Sequence, residues 1–481
     1  MAKISRRSLL AGGGAAALSL SLPQVSRAQQ RFVLNDASQL NPTPVFRHWV
    51  AEEKDDTFIA RLRSELKAAQ AARRPVAFGA ARHSMGGQSL ARDGTVITLT
   101  PSSCDPDVDK RIYRVGSGTR WRNVIAALDP IGFSPAVMQS NNDFGVASTL
   151  SVNAHGWPTP FGPFGTTVRS FRLMLADGTI LTCSREENSE LFALTMGGYG
   201  LFGVILDLEV EMVQNVLLKP SFQVVPTENF AQQFLRLITQ NHRARMAYGR
   251  VTVARSNFLQ EALIVVFHEQ PRPEGKLPGA ESGGKMAGLA REIYRAQTGW
   301  ETGKRARWFA ETVAGPSIAS TMFTRNSLLN EPVSNLAGRS IKRTDILHEY
   351  FVPPERLNDF IKACREVIPR SQQELLNITL RYVEADQLSV LAYAPTARIA
   401  AVMSFSQEML PGVEADMMRM TEELIDRVLA IGGSFYLPYR LHARRDQVEK
   451  SYPRIQRFIS QKRHYDQDLL FRNLMWDAYF A

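Results

Sequence analysis

Gly198-Tyr199-Gly200-Leu201-Phe202-Gly203 has the spacing GxGxxG, and its surroundings constrain the fold more than any other stretch of the chain. In a nicotinamide-dinucleotide fold a strand precedes such glycines and a helix follows, so that a helix N-terminus faces the pyrophosphate. Here the order is reversed. Ser184-Arg185-Glu186-Glu187 has capping-box spacing and predicts a helix through Leu191-Phe192 to Met196, which the glycines stop. Beyond them Val204–Met212 alternates, with Leu206, Leu208 and Val210 on one face and Asp207, Glu209 and Glu211 on the other, as in a half-buried strand. Helix, glycines, strand is the wrong order for the nicotinamide fold, which is set aside.

The rest of the chain mixes helices and strands. Lys54–Arg73 carries Phe58, Leu62, Leu66 and Ala69 at helical spacing, and Pro75 ends that helix. Val76–Phe78 is a short strand that enters the loop Gly79–Gln88; the strands Thr95–Leu99 and Arg111–Val115 and the helix Trp121–Leu128 follow. Val168–Ala176 and Thr179–Cys183 flank Asp177-Gly178, a dipeptide suited to a type I′ hairpin. A domain boundary is expected near Pro220, with strands at Ala247–Ala254 and Ala262–Phe267 beyond it. Residues 269–285 read as a loop or insertion. Residues 286–312, basic and aromatic, read as a capping helix with an exposed basic face or as a helix lying on a membrane surface.

At 481 residues the chain is too long for one ordinary core. Lys3, Arg6 and Arg7, the weakly apolar run Leu9–Leu22 and Ser26-Arg27-Ala28 form an export-signal pattern. Ser5-Arg6-Arg7-Ser8-Leu9-Leu10 resembles the twin-arginine signal, whose route carries folded proteins. Residues 1–28 are therefore expected to be removed on export, to the periplasm or its equivalent, and the formal charge of +10 falls by four to +6. That moderate excess, without a helix-turn-helix or zinc-finger motif, gives no case for nucleic-acid binding. Cys104, Cys183 and Cys364 form no CxxC, so zinc-ribbon and iron–sulfur sites find no support and no metal is expected.

Two segments carry chemistry. In Gly79-Ala80-Ala81-Arg82-His83-Ser84-Met85-Gly86-Gly87-Gln88, small residues let successive backbone N–H groups converge on an anion. A surface turn with a hydrogen-bonded histidine is the plain alternative. Asn142–Gly156 is built largely of small and hydroxylic residues up to His155-Gly156, which permits close backbone approach to a cofactor or tight packing in a core.

Gly79-x-x-x-His83-Ser84, Ala154-His155-Gly156, Gly162-Pro163 with Val168-Arg169-Ser170, Ala176-Asp177-Gly178, Glu190-Leu191-Phe192 and Gly198-x-Gly200-x-x-Gly203-Val204-Ile205 occur in that order. Together they resemble the vanillyl-alcohol oxidase superfamily of flavoproteins over residues 40–215, and within it the aldonolactone, alditol and decaprenylphosphoryl-ribose oxidases. The resemblance implies an α+β fold: a PCMH-type FAD-binding domain of two α+β subdomains at 32–216, and a second α+β substrate (cap) domain at 217–430. A C-terminal segment, 431–481, is expected to return to the flavin. It also implies that FAD is bound by Gly79, Ala80, Ala81, Arg82, His83, Ser84, Gly86, Gly87, Gln88, Ser140, Gly145, Val146, Ala147, Ser148, Val152, Asn153, Ala154, His155, Gly203, Val204 and Ile205. The resemblance further implies that His83 bonds covalently to the flavin's benzenoid methyl group, as in alditol oxidases and cytokinin dehydrogenases.

The function implied is oxidation of a CH–OH group of a sugar, aldonolactone or polyol by hydride transfer to flavin. Oxygen, a quinone or a cytochrome would accept the electrons. Arg381, by the same resemblance, would steady the developing alkoxide. Tyr436, Tyr439, Arg440 and His442 are the other candidates to line the donor pocket; strand alternation places Tyr436, Pro438, Arg440 and His442 on one face and turns Tyr439 elsewhere. His442 has the best intrinsic pKa for a base. Two alternatives stand beside this reading: a lipid-linked sugar oxidase in peripheral contact with a membrane, and an exported flavin-binding protein without catalysis. Where the ribose oxidases carry a lysine three residues after the tyrosine, this chain has Tyr439 followed by Arg440.

Overall fold

The amphipathic pattern at the start of the chain produces the helix Asp55–Ala71, with Phe58, Leu62, Leu66 and Ala69 buried and Asp55 and Asp56 at its positive end. It is the crossover between strands β3 (Arg47–Ala51) and β4 (Val76–Gly79), which pair in parallel on either side of β5 (Thr95–Leu99). Parallel strands require such a crossover. Trp49, Ile97, Leu99 and the helix's apolar face make a small core, closed from the far end of the chain by Leu470 and Phe471. The computed structural model describes residues 32–281, 297–318, 321–332 and 342–481. The export signal expected at 1–28, and residues 286–296 of the basic segment, lie outside the described residues. Ahead of β3, β1 (Phe32–Leu34) and β2 (Thr43–Val45) form an antiparallel pair.

A second sheet contains β6 (Cys104–Asp107), β7 (Ile112–Gly116), β8 (Phe133–Pro135), β9 (Val168–Met174), β10 (Ile180–Ser184) and β11 (Val204–Gln214). Its order is β10-β9-β11-β7-β6, with β8 added to β11. The alternation read along β11 holds: Leu206, Leu208 and Val210 are buried, while Asp207, Glu209 and Glu211 pair with Arg172, Arg114 and Arg169. Two local expectations are corrected. In the β9–β10 hairpin only Gly178 has positive φ, and Gly178 N–H donates to Leu175 O at 3.0 Å. That is a type I turn followed by a left-handed glycine, not type I′. Ser184 Oγ accepts from the N–H groups of Glu186 and Glu187 in a tight local turn, so the helix starts only at Ser189.

The third sheet has eight strands: β12 (Leu217–Pro226), β13 (Ala244–Val251), β14 (Glu261–Glu269), β15 (Phe323–Thr324), β16 (Arg343–Val352), β17 (Glu374–Val383), β18 (Arg398–Glu408) and β19 (Ser434–Phe435). Their order is β15-β12-β14-β13-β17-β18-β16-β19. Helices Thr227–Thr239, Leu357–Val367 and Pro411–Ala430 bury Phe230, Phe360 and Leu424 in the main core. A Cβ on Gly249 would lie 2.3 Å from the Phe230 ring, so Gly249 turns toward a covering helix and its neighbours Tyr248 and Arg250 turn to the opposite face. The expected exposed basic face of 286–312 is not what the described part shows. In helix Glu301–Phe309 Arg305 is exposed, but Lys304 and Arg307 are buried in pairs with Glu374 and Glu311; Phe309 and, just ahead of the helix, Trp300 are exposed. Among the described residues no helix is long and apolar enough to cross a membrane. The architecture is α+β.

Candidate functional site

The loop leaving β4, the helix Val146–Ser151, the glycine turn before β11 and the C-terminal segment enclose a half-open cleft with about 1090 Å³ of space unfilled by protein. Of the residues predicted to hold FAD, Gly79, Ala80, Ala81, Arg82, His83, Ser84, Gln88, Gly145, Ala147, Ser148, Val152, Gly203, Val204 and Ile205 line it together. Seven others stand outside its wall. Gly86 and Gly87 pack against the C-terminal segment: a Cβ on Gly86 would meet Tyr439 O at 2.4 Å, and Gly87 N–H donates to Asp36 Oδ2 at 2.8 Å. Val146 is a fully buried core residue, and Ala154 is tied to Thr149 and Phe164 by backbone bonds. Asn153 links Gly165 N–H to Asp386, and Ser140 adjoins the lining residue Gln139 without itself forming wall. His155 is buried one layer behind, against Glu349.

The cleft is built to receive a phosphorylated, ring-bearing cofactor. Among the described residues the backbone N–H groups of Ala81, Arg82, His83, Ser84, Ala147 and Ser148, all in the cleft wall, have no protein acceptor. Ser89 Oγ and Ser117 Oγ, both in the wall, are likewise buried without a partner among the described residues. Glycine is required where the walls approach: a Cβ on Gly145 would lie 2.9 Å from Ala80 Cβ, and one on Gly79 would lie 2.9 Å from Ser89 Cβ. Arg82 takes a positive φ of 53° to turn the loop, a conformation few side chains adopt. Phosphate oxygens would satisfy the free N–H groups, and the apolar wall of Phe78, Leu99, Val204, Ile205 and Leu347 suits an aromatic ring system. These residues fit FAD.

His83 stands in this wall with its ring centroid 4.4 Å from that of Phe144. Burial lowers its pKa, Asp143 opposes that and Arg120 adds to it, so the imidazole is neutral at neutral pH.

Above the cleft the register of the eight-stranded sheet sets out a polar face. Arg250 lies opposite Thr379, Thr379 opposite Val402, and Val402 opposite Glu349. Directly opposed residues share a face, as do residues two apart on one strand, so Tyr248, Arg381 and Leu347 belong to it too. Leu347 lines the cleft, which shows where this face is turned. Glu349 is the hub: Oε1 pairs with His155 Nε2, and Oε2 accepts from the Tyr439 hydroxyl at 3.0 Å. Burial, with Glu349 beside it, raises the Tyr439 pKa well above that of an ordinary phenol, and Arg381 opposes the shift. Arg381 is itself crowded: burial lowers its pKa, Glu349 supports the charge and Arg250 repels it. Its Nε is buried with no hydrogen-bond partner among the described residues.

The C-terminal expectations are partly corrected. The chain leaves the sheet after Phe435 and turns, so strand alternation does not extend to His442. Tyr436, Pro438 and Tyr439 therefore all reach the cleft. Arg440 and His442 do not; both bind Glu414, at 3.1 and 2.8 Å, and Arg440 also donates to Asn41 at 2.7 Å. Burial would raise the Glu414 pKa, but the His442 and Gln407 hydrogen bonds and the Arg440 charge overcome it and hold the carboxyl at about 2. This cluster anchors the C-terminal turn. The return of residues 431–481 to the cleft is secured by Gln88 Nε2 donating to Leu437 O at 2.7 Å, and by Asn473 donating to Gln88 O and Tyr199 O.

Sequence reasoning missed Glu349, which sits in a strand whose partners are remote in sequence, and it turned the candidate Tyr439 the wrong way. It also missed Ser89, Ser117 and Gln139; only Ser89 was signalled, by adjoining the loop.

Residues 58–184 match the FAD binding domain family. The chain is 33% identical over 138 residues to cytokinin dehydrogenase 1 of Arabidopsis thaliana, a match covering 27% of this chain and 24% of that protein. An uncharacterized oxidoreductase of the fasciation locus of Rhodococcoides fascians is 32% identical over 131 residues, 27% of this chain and 30% of that protein. An FAD-dependent monooxygenase of Arthrobotrys oligospora is 29% identical over 126 residues, 26% and 24% of the two chains. The chain thus matches between about a quarter and a third of the length of these relatives.

Proposed function

We propose that the protein is an FAD-dependent oxidoreductase that oxidises a CH–OH group of a sugar-like or polyol donor lying between the cleft and the polar sheet face. One observation carries the reading: Tyr439 lines the cofactor cleft while its hydroxyl donates to the buried carboxylate Glu349 at 3.0 Å. Bound FAD supplies the acceptor for the hydride of the donor carbon. The residues have the other half of the work, removal of the hydroxyl proton. With its own hydrogen turned to Glu349, the Tyr439 oxygen presents lone pairs to a donor hydroxyl. It takes that proton as its own passes to Glu349, and His155 behind the carboxylate fixes its orientation. Arg381 opposes the negative charge that develops on the donor oxygen.

FAD is proposed to be tethered through His83. The neutral imidazole in the cleft wall keeps the lone pair that such a bond needs. Export through the signal at 1–28 gives the tether a purpose, since a cofactor lost outside the cytoplasm is not replaced.

The test is anaerobic mixing of the holoprotein with a panel of sugars, lactones, polyols and hydroxy acids while the flavin spectrum is followed. Bleaching by at least one of them is expected; no bleaching by any of them sinks the catalytic reading and favours a binding protein. Acid denaturation tests the tether. Flavin fluorescence should stay with the chain in the wild type and leave it in His83→Ala, and flavin free in the wild-type supernatant contradicts the tether.

A further inference from the structure

The polar face above the cleft holds more positive charge than its own acids balance. Arg250, Arg307 and Arg381 all act on the phenol of Tyr248, which precedes Gly249 where β13 pairs with β17. Arg307 is held by Glu311 at 2.9 Å and by Asn377 Oδ1 at 3.0 Å. Glu349 supports Arg381, but its two oxygens are already engaged with His155 and Tyr439. Arg250 has no carboxylate among the described residues. It donates to the Thr379 hydroxyl at 2.6 Å and lies 5.4 Å from the Tyr248 ring centroid. Among the described residues three guanidiniums thus face two carboxylates. Arginine does not shed its charge to relieve such an imbalance, so the face has a standing affinity for an anion. The unpartnered Nε of Arg381 and the uncompensated Arg250 mark where that anion would be held. A guanidinium pair suits two oxygens of one group, and a partly dehydrated setting strengthens the contact.

We infer that Arg250 and Arg381 form a subsite for a carboxylate or phosphate group carried by the donor. The donor class is then narrowed to hydroxy acids, sugar acids and phosphorylated sugars or polyols. The anion is clamped at Arg250 and Arg381, and the carbinol lies toward Tyr439. The inference rests on the proposed function for its orientation but not for its binding chemistry, so the two are separable.

The test uses the full holoprotein and two probes with no oxidisable carbinol, malonate and inorganic phosphate, with glycerol as a neutral control. Binding is read by isothermal titration and by perturbation of the flavin spectrum. Saturable binding of at least one anion is expected, weakened at least tenfold by Arg250→Met and by Arg381→Met, and restored only in part by Arg250→Lys, which keeps the charge and loses the planar fork. The tighter probe tells a planar carboxylate from a tetrahedral phosphate. Flavin content and melting temperature of each variant establish that it is folded. No saturable binding of either anion, or binding unchanged in both methionine variants, overturns the subsite. If anions bind as expected but no donor bleaches the flavin, the subsite stands and the catalytic reading falls. If neutral donors bleach it and anions neither bind nor compete, the reverse holds.

Discussion

Replacing Tyr439 by phenylalanine removes one oxygen from the junction of cleft and sheet and keeps the ring. That ring packs edge-on to Tyr436, with centroids 5.7 Å apart, so the aromatic wall is preserved. Two effects of different size follow. The hydrogen bond to Glu349 Oε2, 3.0 Å long and to a buried carboxylate, is lost, at a cost of about 1.5–3 kcal/mol of stability. His155 still holds the other oxygen, so the carboxylate is not stranded and the protein folds with a lowered melting temperature. The kinetic effect is larger. If Tyr439 accepts the donor's proton, its loss slows flavin reduction roughly 10²–10⁴-fold, about 3–5 kcal/mol of barrier. FAD content should be unchanged, since the cradle lies in the 79–84 and 145–148 segments. The assay is anaerobic stopped-flow reduction of wild type and variant with one reductant, over a range of pH. Because burial and Glu349 raise the Tyr439 pKa, the wild-type rate should show no limb from phenol ionisation below about pH 10. A reduction rate within about threefold of wild type would refute the reasoning, because the proton would then have another acceptor.

Three further outcomes are expected. Gly145→Val should abolish FAD retention while leaving a folded chain, because even a Cβ there would lie 2.9 Å from Ala80 Cβ; absorbance of the purified protein checks it. Glu414→Gln should lower stability at neutral pH by on the order of 2 kcal/mol, allowing for solvent screening of a partly exposed carboxylate. The Glu414 pKa is depressed in the folded state to about 2 from 4.5, so its contribution is complete above pH 4.5 and fades as pH falls toward 2. Melting curves of wild type and variant should therefore converge in acid, and a constant gap down to pH 2 would contradict the pairing. Asp466→Leu should cost about 3–5 kcal/mol, since it strands the fully buried Lys462 and frees the N–H groups of Leu470 and Phe471 at the tail of the chain; denaturant unfolding measures it.

What could be read without coordinates was local. The glycines after a helix and before a strand set aside the nicotinamide fold, and the structure keeps that order at Ser189–Thr195 and Val204–Gln214. The loop at 79–84 announced its chemistry because the small residues that open it let the backbone donors behind them converge. Long-range contacts were not readable. Glu349 reaches the site only because β16 pairs with β18, and Arg250 because β13 pairs with β17, at separations no periodicity encodes. His442 and Arg440 looked suited to catalysis by residue type, yet a single carboxylate on helix Pro411–Ala430 binds both. Alternation failed at Tyr436–His442 because it presumes a strand, and the strand stops at Phe435. At Ser184 a local turn outcompeted the capping box, as short hydroxylic side chains often do.

The central claim is that the cleft walled by residues 79–84, 145–152 and 199–205 holds FAD. The most direct measurement is the visible spectrum of the purified full chain, with flavin quantified against protein and the same done for Gly145→Val. One flavin per wild-type chain and none on the folded variant is the predicted result. Flavin absent from the wild type and not taken up from added FAD, or retained equally by the variant, would contradict the account.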